Sequence, residues 1–282
     1  MENLNINYDK TVSNATVNMI SAGAILVISV LIVLLVLVIK RWKGRFIPLA
    51  LGVLSYVVFG FMFSQLLMSV LSLIPNVDQS FTYNTNAYVV IYNILLAAGF
   101  GIARWFTAKM MTDRYNRTGD VLMAGTGLAI GDTVITYALS MFTFFVYAQA
   151  ISANGLEKFI SDMFNSGMAE SDVITLYTSN VSQLIDSPAI LWFLMAVSAV
   201  LDIALNIMLF MVVYGVVKKQ VNYMYAYYAI IAQFVSNIMF QLYNAFSLTN
   251  IIVLFIVKLV IVGGIVLFIK QFIMKEIKYS ND

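Results

Sequence analysis

The chain has 282 residues, 61% of them hydrophobic and 11% charged, with no histidine and no cysteine. Soluble domains carry about 25% charged residues, so the composition places this chain in a membrane, and the missing side chains exclude disulfides, thiol nucleophiles, His acid–base chemistry and His- or Cys-ligated metals. A net charge of +2, with no basic groove clear of the juxtamembrane loops, gives no reason to expect nucleic acid as a partner, and neither a cofactor nor a metal is expected.

Seven segments reach the roughly 20 residues that a bilayer requires: 20–39, 46–74, 87–108, 121–147, 188–217, 223–246 and 251–269. The leader 1–21 lacks a basic start, and the first basic cluster follows the apolar run, so 20–39 reads as a membrane helix with its N-terminus outside rather than a cleaved signal. Lys40, Arg41, Lys43 and Arg45 follow the first span, Lys109, Arg114 and Arg117 the third, Lys218 and Lys219 the fifth, and Lys270, Lys275 and Lys278 the seventh. The opposite loops and the N-terminus hold only Lys10 and Lys158. That bias predicts an external N-terminus and a cytoplasmic C-terminus. The fold expected is an all-α polytopic membrane bundle, a single domain over 1–282.

The loop 149–187 is predicted to be external and helical. Leu156, Phe159, Ile160, Met163 and Phe164 share one helix face, and Ser171 is placed to cap a second helix bearing Val173, Ile174, Tyr177, Val181, Leu184 and Ile185. Glu157, Asp162, Glu170, Asp172 and Asp186 outweigh Lys158 there, which predicts an acidic amphipathic pair on the outer face.

Polar side chains inside the spans mark the candidate site. Span three aligns Asn93, Ala97, Gly101 and Arg104. Span four carries Gly125, Gly127, Gly131 and Asp132, then Thr136, Ser140 and Thr143. Span five carries Ser198, Asp202 and Asn206, span six Gln233, Asn237, Gln241 and Asn244, and span seven Lys258. In lipid such faces are expected to turn toward one another. Amides and hydroxyls there can serve simply as interhelical hydrogen bonds. A lone buried aspartate, by contrast, protonates or finds a cation, and Asp202 with Lys258 or Asp132 with Arg104 are the pairs on offer. The candidate site residues are therefore Arg104, Asp132, Asp202, Asn206, Gln233, Asn237 and Lys258. Two intramembrane aspartates also fit an aspartyl intramembrane protease. However, Asp132 lies in A-I-G-D rather than G-x-G-D, and Asp202 lies in V-L-D rather than Y-D, with the motif order reversed.

Across spans three to six, roughly 91–243, the sequence resembles the YhfC-type family of membrane peptidases, itself similar to the CAAX-processing and bacteriocin-processing intramembrane proteases. The segment G-F-G-I-A-R-W matches a Glu-Glu pair followed by Gly-Arg-Tyr, with Arg104 and Trp105 fitting and Phe100 and Gly101 at the glutamates. G-T-G-L-A-I-G-D matches G-L-G-H-G-G-I-E, with Leu128 at the histidine and Asp132 at the glutamate. In span five Asn206 falls at a histidine, and in span six A-I-I-A-Q-F-V-S-N places Gln233 and Asn237 at the His and Asp of A-I-x-x-H-A-x-x-D. The resemblance implies a degenerate member without proton-transfer groups, since amides keep hydrogen bonding but do not titrate near neutral pH. On that reading the protein is a pseudoprotease, not an enzyme, of a bacterial cytoplasmic membrane. It would bind a hydrophobic membrane peptide, a lipid or a partner membrane subunit, in an accessory, regulatory or bacteriocin-immunity role. The alternatives are a small ion-coupled transporter using Asp132 and Asp202, and an active aspartyl-type peptidase.

Overall fold

The structure, a computed structural model, describes residues 7–73, 86–111, 113–245 and 251–277. Of the described residues 87% are helical, and there is no strand among them. In chain order the helices are α1 (Asn14–Trp42), α2 (Phe46–Ser72), α3 (Asn86–Met110), α4 (Thr118–Asn154), α5 (Leu156–Asn165), α6 (170–186), α7 (Ala189–Val217), α8 (Met224–Ala245) and α9 (Ile251–Phe268). Four of them contain or end in a π-helical turn: Tyr56–Met62 in α2, Thr133–Ala138 in α4, Tyr177–Val181 in α6 and Ile269–Ile273 after α9.

Among the described residues six helices are long and apolar enough to cross a membrane: α1, α2, α3, α4, α7 and α9 with its terminal turn. The segment expected at 223–246 does form a helix, α8, of 22 residues. It is not among the six, because Gln233, Ser236, Asn237 and several tyrosines dilute its apolar run. The membrane reading rests on surface as much as on length. Helix α1 leaves Ile25, Ile28, Ile32, Val33, Val36 and Leu37 exposed, and α9 leaves Ile252, Val253, Ile256, Leu259 and Val260 exposed. Only 17% of the most apolar window is buried in each of these helices, against 67% in α7. Soluble proteins rarely carry such contiguous apolar surface; lipid accommodates it.

The chain divides into two compact units, Met1–Ser29 with Ile135–Val197 and Val30–Val134 with Ser198–Asp282. In the first, α5 buries Leu156, Phe159 and Ile160, the face that the spacing predicts, and α6 buries Val173, Val181 and Leu184 of its predicted face but leaves Ile174 exposed. Phe159 meets the ring of Tyr147, and Trp192 that of Phe144. Gly23 lets α1 lie directly against Ala196 of α7, and Lys10 bridges Asp186 at 2.6 Å, which holds its ammonium pKa above the ordinary lysine value. Ser171 does not cap α6 as expected. The helix begins one residue earlier, from Ala169 in extended backbone, with Glu170 and Asp172 in its first turn, where acidic groups complement the helix dipole.

In the second unit α2 and α4 approach backbone to backbone. A methyl group on Gly127 would stand 2.1 Å from the Leu49 carbonyl oxygen, and one on Gly52 2.2 Å from that of Ala124. Close contact of this kind drives helix association in lipid, where no hydrophobic effect separates helix from solvent. Helix α3 packs on α2 and α8, and α8 packs on α9. Leu205, Leu209, Val212, Val213 and Val216 of α7 join Ala229 and Val262 in one core.

The inward face expected along α4 stops at Asp132. Thr136, Ser140 and Thr143 are exposed. Ser140 and Thr143 donate to the carbonyls of Thr136 and Leu139 one turn back, which satisfies a hydroxyl without any neighbouring helix.

Candidate functional site

The seven candidate residues lie in the second unit, in two hydrogen-bonded networks. The first centres on Arg104 of α3, which has no solvent exposure. Its Nη2 donates to Asn206 Oδ1 at 2.6 Å and to Gln233 Oε1. Asn206 Nδ2 in turn donates to Asp132 Oδ2 at 2.9 Å, and the Tyr56 hydroxyl donates to Asp132 Oδ1 at 3.2 Å. Gln233 Nε2 donates to Asn237 Oδ1 at 2.8 Å. One chain of side chains thus joins α2, α4, α7, α3 and α8. Asp132 and Arg104 are charges of opposite sign held apart by an amide, not a direct ion pair.

The second network is a direct pair. Lys258 Nζ lies 2.7 Å from Asp202 Oδ2, and the Ser236 hydroxyl donates to Asp202 Oδ1 at 2.7 Å. Lys258 is 3% exposed. Of the two pairings that the sequence leaves open, the structure makes Asp202–Lys258 directly and Asp132–Arg104 only through Asn206. The two aspartates have different partners, Tyr56 and Asn206 for Asp132 and Lys258 and Ser236 for Asp202, unlike the paired carboxylates of an aspartyl dyad.

Helical spacing explains the sorting. Asp202 and Asn206 are one turn apart on α7, as are Gln233 and Asn237 on α8, and Ser236 lies between the latter pair. Phe100, one turn before Arg104, packs its ring 5.0 Å from both the Tyr56 ring and the Arg104 guanidinium. A position where the resemblance would put a glutamate thus holds an aromatic wedge. Gly101 faces Ile230, and Leu128 is buried against α2 beside Gly52. Tyr56 opens the π turn of α2, and Asp132 immediately precedes that of α4. Such turns often occur at functional sites; here both meet at one hydrogen bond.

Two donors on Arg104, Nε and Nη1, have no hydrogen-bond partner among the described residues, nor has Asn237 Nδ2. Buried polar groups nearly always have partners, so these stand out. A groove of about 380 Å³ lies between α3 and α8, bordered by Gly101, Ile102, Trp105 and Ile230. Neither this groove nor a second one along α9 includes any of the seven polar residues. Among the described residues no three acidic groups converge as metal ligands would. Gln241 and Asn244 lie outside the described side chains.

Sequence reasoning missed Tyr56, Ser236 and Asp120. Ser236 was legible as part of the Gln233–Asn237 stripe; Tyr56 was one hydroxyl in an apolar run with no spacing to mark it. Asp120 is fully buried and takes both Nε and Nη2 of Arg45 in a bidentate pair. Hydrogen bonding to Asp120 holds the Arg45 guanidinium above its ordinary pKa, and Arg45 also stacks 4.6 Å over Tyr115. This pair fastens the α1–α2 turn to the start of α4. Its signal was an acid among many bases at the first helical turn.

Comparison of the chain with protein-family models, curated proteins and solved structures found no match.

Proposed function

We propose that this protein is a non-catalytic, multi-pass membrane protein that binds a membrane peptide or partner subunit within its helix bundle. The observation that carries the reading is Arg104, a buried cation with two N–H groups that find no acceptor among the described residues. Its present partners are neutral amides, which offset a buried positive charge less well than a carboxylate or a row of carbonyls. The groove beside Gly101 and Ile230 lies between α3 and α8, the helices that carry Arg104 and its partner Gln233; Arg104 does not line it, and on this reading the bound partner reaches it by separating the two helices. The groups that would carry proton transfer in the YhfC-type peptidases are here Phe100, Gly101, Leu128, Asn206 and Gln233. This supports a pseudoprotease of that type, in a bacterial cytoplasmic membrane. With α8 counted, the bundle has seven spans, an external N-terminus and the acidic α5–α6 pair outside, a reading supported by the basic residues gathered at one end. Labelling of single cysteines at Asn14 from outside and at Lys43 from the cytoplasm is expected; the reverse pattern would overturn that orientation.

A photoreactive phenylalanine analogue at Ile102 tests the binding function in cells. A discrete peptide or subunit adduct is expected, lost in Arg104→Gln and retained in Arg104→Lys, with melting temperatures recorded for both. An adduct pattern indifferent to Arg104 in folded variants, or no adduct at all, would refute the proposal.

A further inference from the structure

A second groove, of about 430 Å³, runs between α7, α8 and α9, walled by Leu209 and Val212, by Ala229 and Ala232, and by Gly264 and Ile265. It is independent of Arg104. We infer that it holds one acyl chain of an anionic phospholipid, whose phosphate sits at the basic end formed by Lys219, Lys270 and Lys275.

The lining on α9 extends from Val260 to Ile273, roughly 20 Å at helical rise. That is one leaflet of hydrocarbon, about 15 Å, and the start of the headgroup region. The space is narrow. A transmembrane helix about 10 Å across needs several times that volume over the same length, whereas an extended chain fits. A side chain added at Gly264 would meet nothing within 4 Å, so the α9 wall of the groove is open at that residue.

The groove is apolar along its length, and Tyr225 and Tyr228 border it near the start of α8, where aromatic residues mark a membrane interface. The charged end is built, not accidental. The turn Ile269–Ile273 and Ile277 pack into the core formed by Val212, Val213, Val216 and Val221, and Ile277 lies against Gly215. The tail bearing Lys270 and Lys275 is thereby docked on the end of α7, next to the turn in which Lys219 takes a left-handed conformation (φ 57°). All three lysines are exposed, with Glu276 as the acid among them. Lys218 is turned elsewhere, toward the Met111 carbonyl. A basic cluster at the mouth of an interhelical groove is the arrangement that recognises anionic headgroups.

The test uses the full chain in nanodiscs of phosphatidylglycerol or of phosphatidylcholine with identical acyl chains, followed by release and native mass spectrometry, with melting curves alongside. One phosphatidylglycerol should stay bound and raise the melting temperature, and phosphatidylcholine should do neither. Lys270→Gln with Lys275→Gln should weaken that binding roughly thirtyfold, about fivefold per charge. Lys40→Gln with Arg41→Gln, at the end of α1, should leave it unchanged. Gly264→Phe should fill the groove and abolish retention without unfolding the protein. Equal retention of both lipids, equal losses in the two charge variants, or full retention in Gly264→Phe would each overturn the assignment. So would a second copy of the chain occupying the groove, seen as a dimer that Gly264→Phe dissociates.

Discussion

Replacing Lys258 by methionine is expected to destabilise the protein by about 3–5 kcal/mol, the cost of leaving one member of a buried pair without its partner. Lys258 and Asp202 lie 2.7 Å apart, the lysine 3% exposed and the aspartate side chain 23%. Ser236 alone cannot neutralise the carboxylate that remains. Removing both charges, Lys258→Met with Asp202→Leu, should recover most of the loss, because two well-packed apolar groups in lipid carry no desolvation cost. Melting curves in detergent would show it. Equal damage from the single and double changes would mean that the pair contributes packing rather than charge compensation.

Gly127→Leu should be more damaging still. Its Cβ would enter the Leu49 carbonyl, and the next two nearest atoms are also backbone, so no flexible side chain can yield. Overpacking costs typically 1–3 kcal/mol when side chains give way, and here two helices must separate instead. That separation also pulls Tyr56 from Asp132 across the same α2–α4 seam. Gly263→Leu provides the contrast, since nothing lies within 4 Å of a side chain there. Size-exclusion profiles of fluorescent fusions should show aggregated or absent protein for Gly127→Leu and a normal peak for Gly263→Leu. A normal peak for both would contradict the close α2–α4 contact.

The parts of this molecule legible in the sequence are those written in local periodicity. The helices of the apolar spans, the buried faces of α5 and α6, and the shared faces of Asp202 with Asn206 and of Gln233 with Asn237 all follow from 3.6-residue repeats. Partner choice does not. Which aspartate meets Lys258 depends on how α7 and α9 rotate against each other, and no residue spacing encodes that rotation. Tyr56 escaped notice for a similar reason: its hydroxyl matters only because Gly52 and Gly127 bring α2 within reach of Asp132. The polar run Thr136, Ser140 and Thr143 misled in the opposite direction, because hydroxyls in a helix can satisfy themselves on their own backbone. The six-helix count reflects the same tension in α8, whose apolar run is interrupted by the residues that bind Arg104 and Asp202.

On the proposed function Asp132 is a fixed acceptor for Tyr56 and Asn206 that offsets Arg104, neither a catalytic acid nor an ion carrier. Reconstituted protein tests this most directly, with proton flux and cleavage of membrane peptides recorded for the native chain and for Asp132→Asn. Asparagine can keep both hydrogen bonds if the tyrosine hydroxyl turns, but it removes the charge, leaving Arg104 uncompensated. The expected result is background flux and background cleavage in both proteins, with a lowered melting temperature in the variant. Flux or cleavage in the native protein that disappears in an equally stable Asp132→Asn would contradict it.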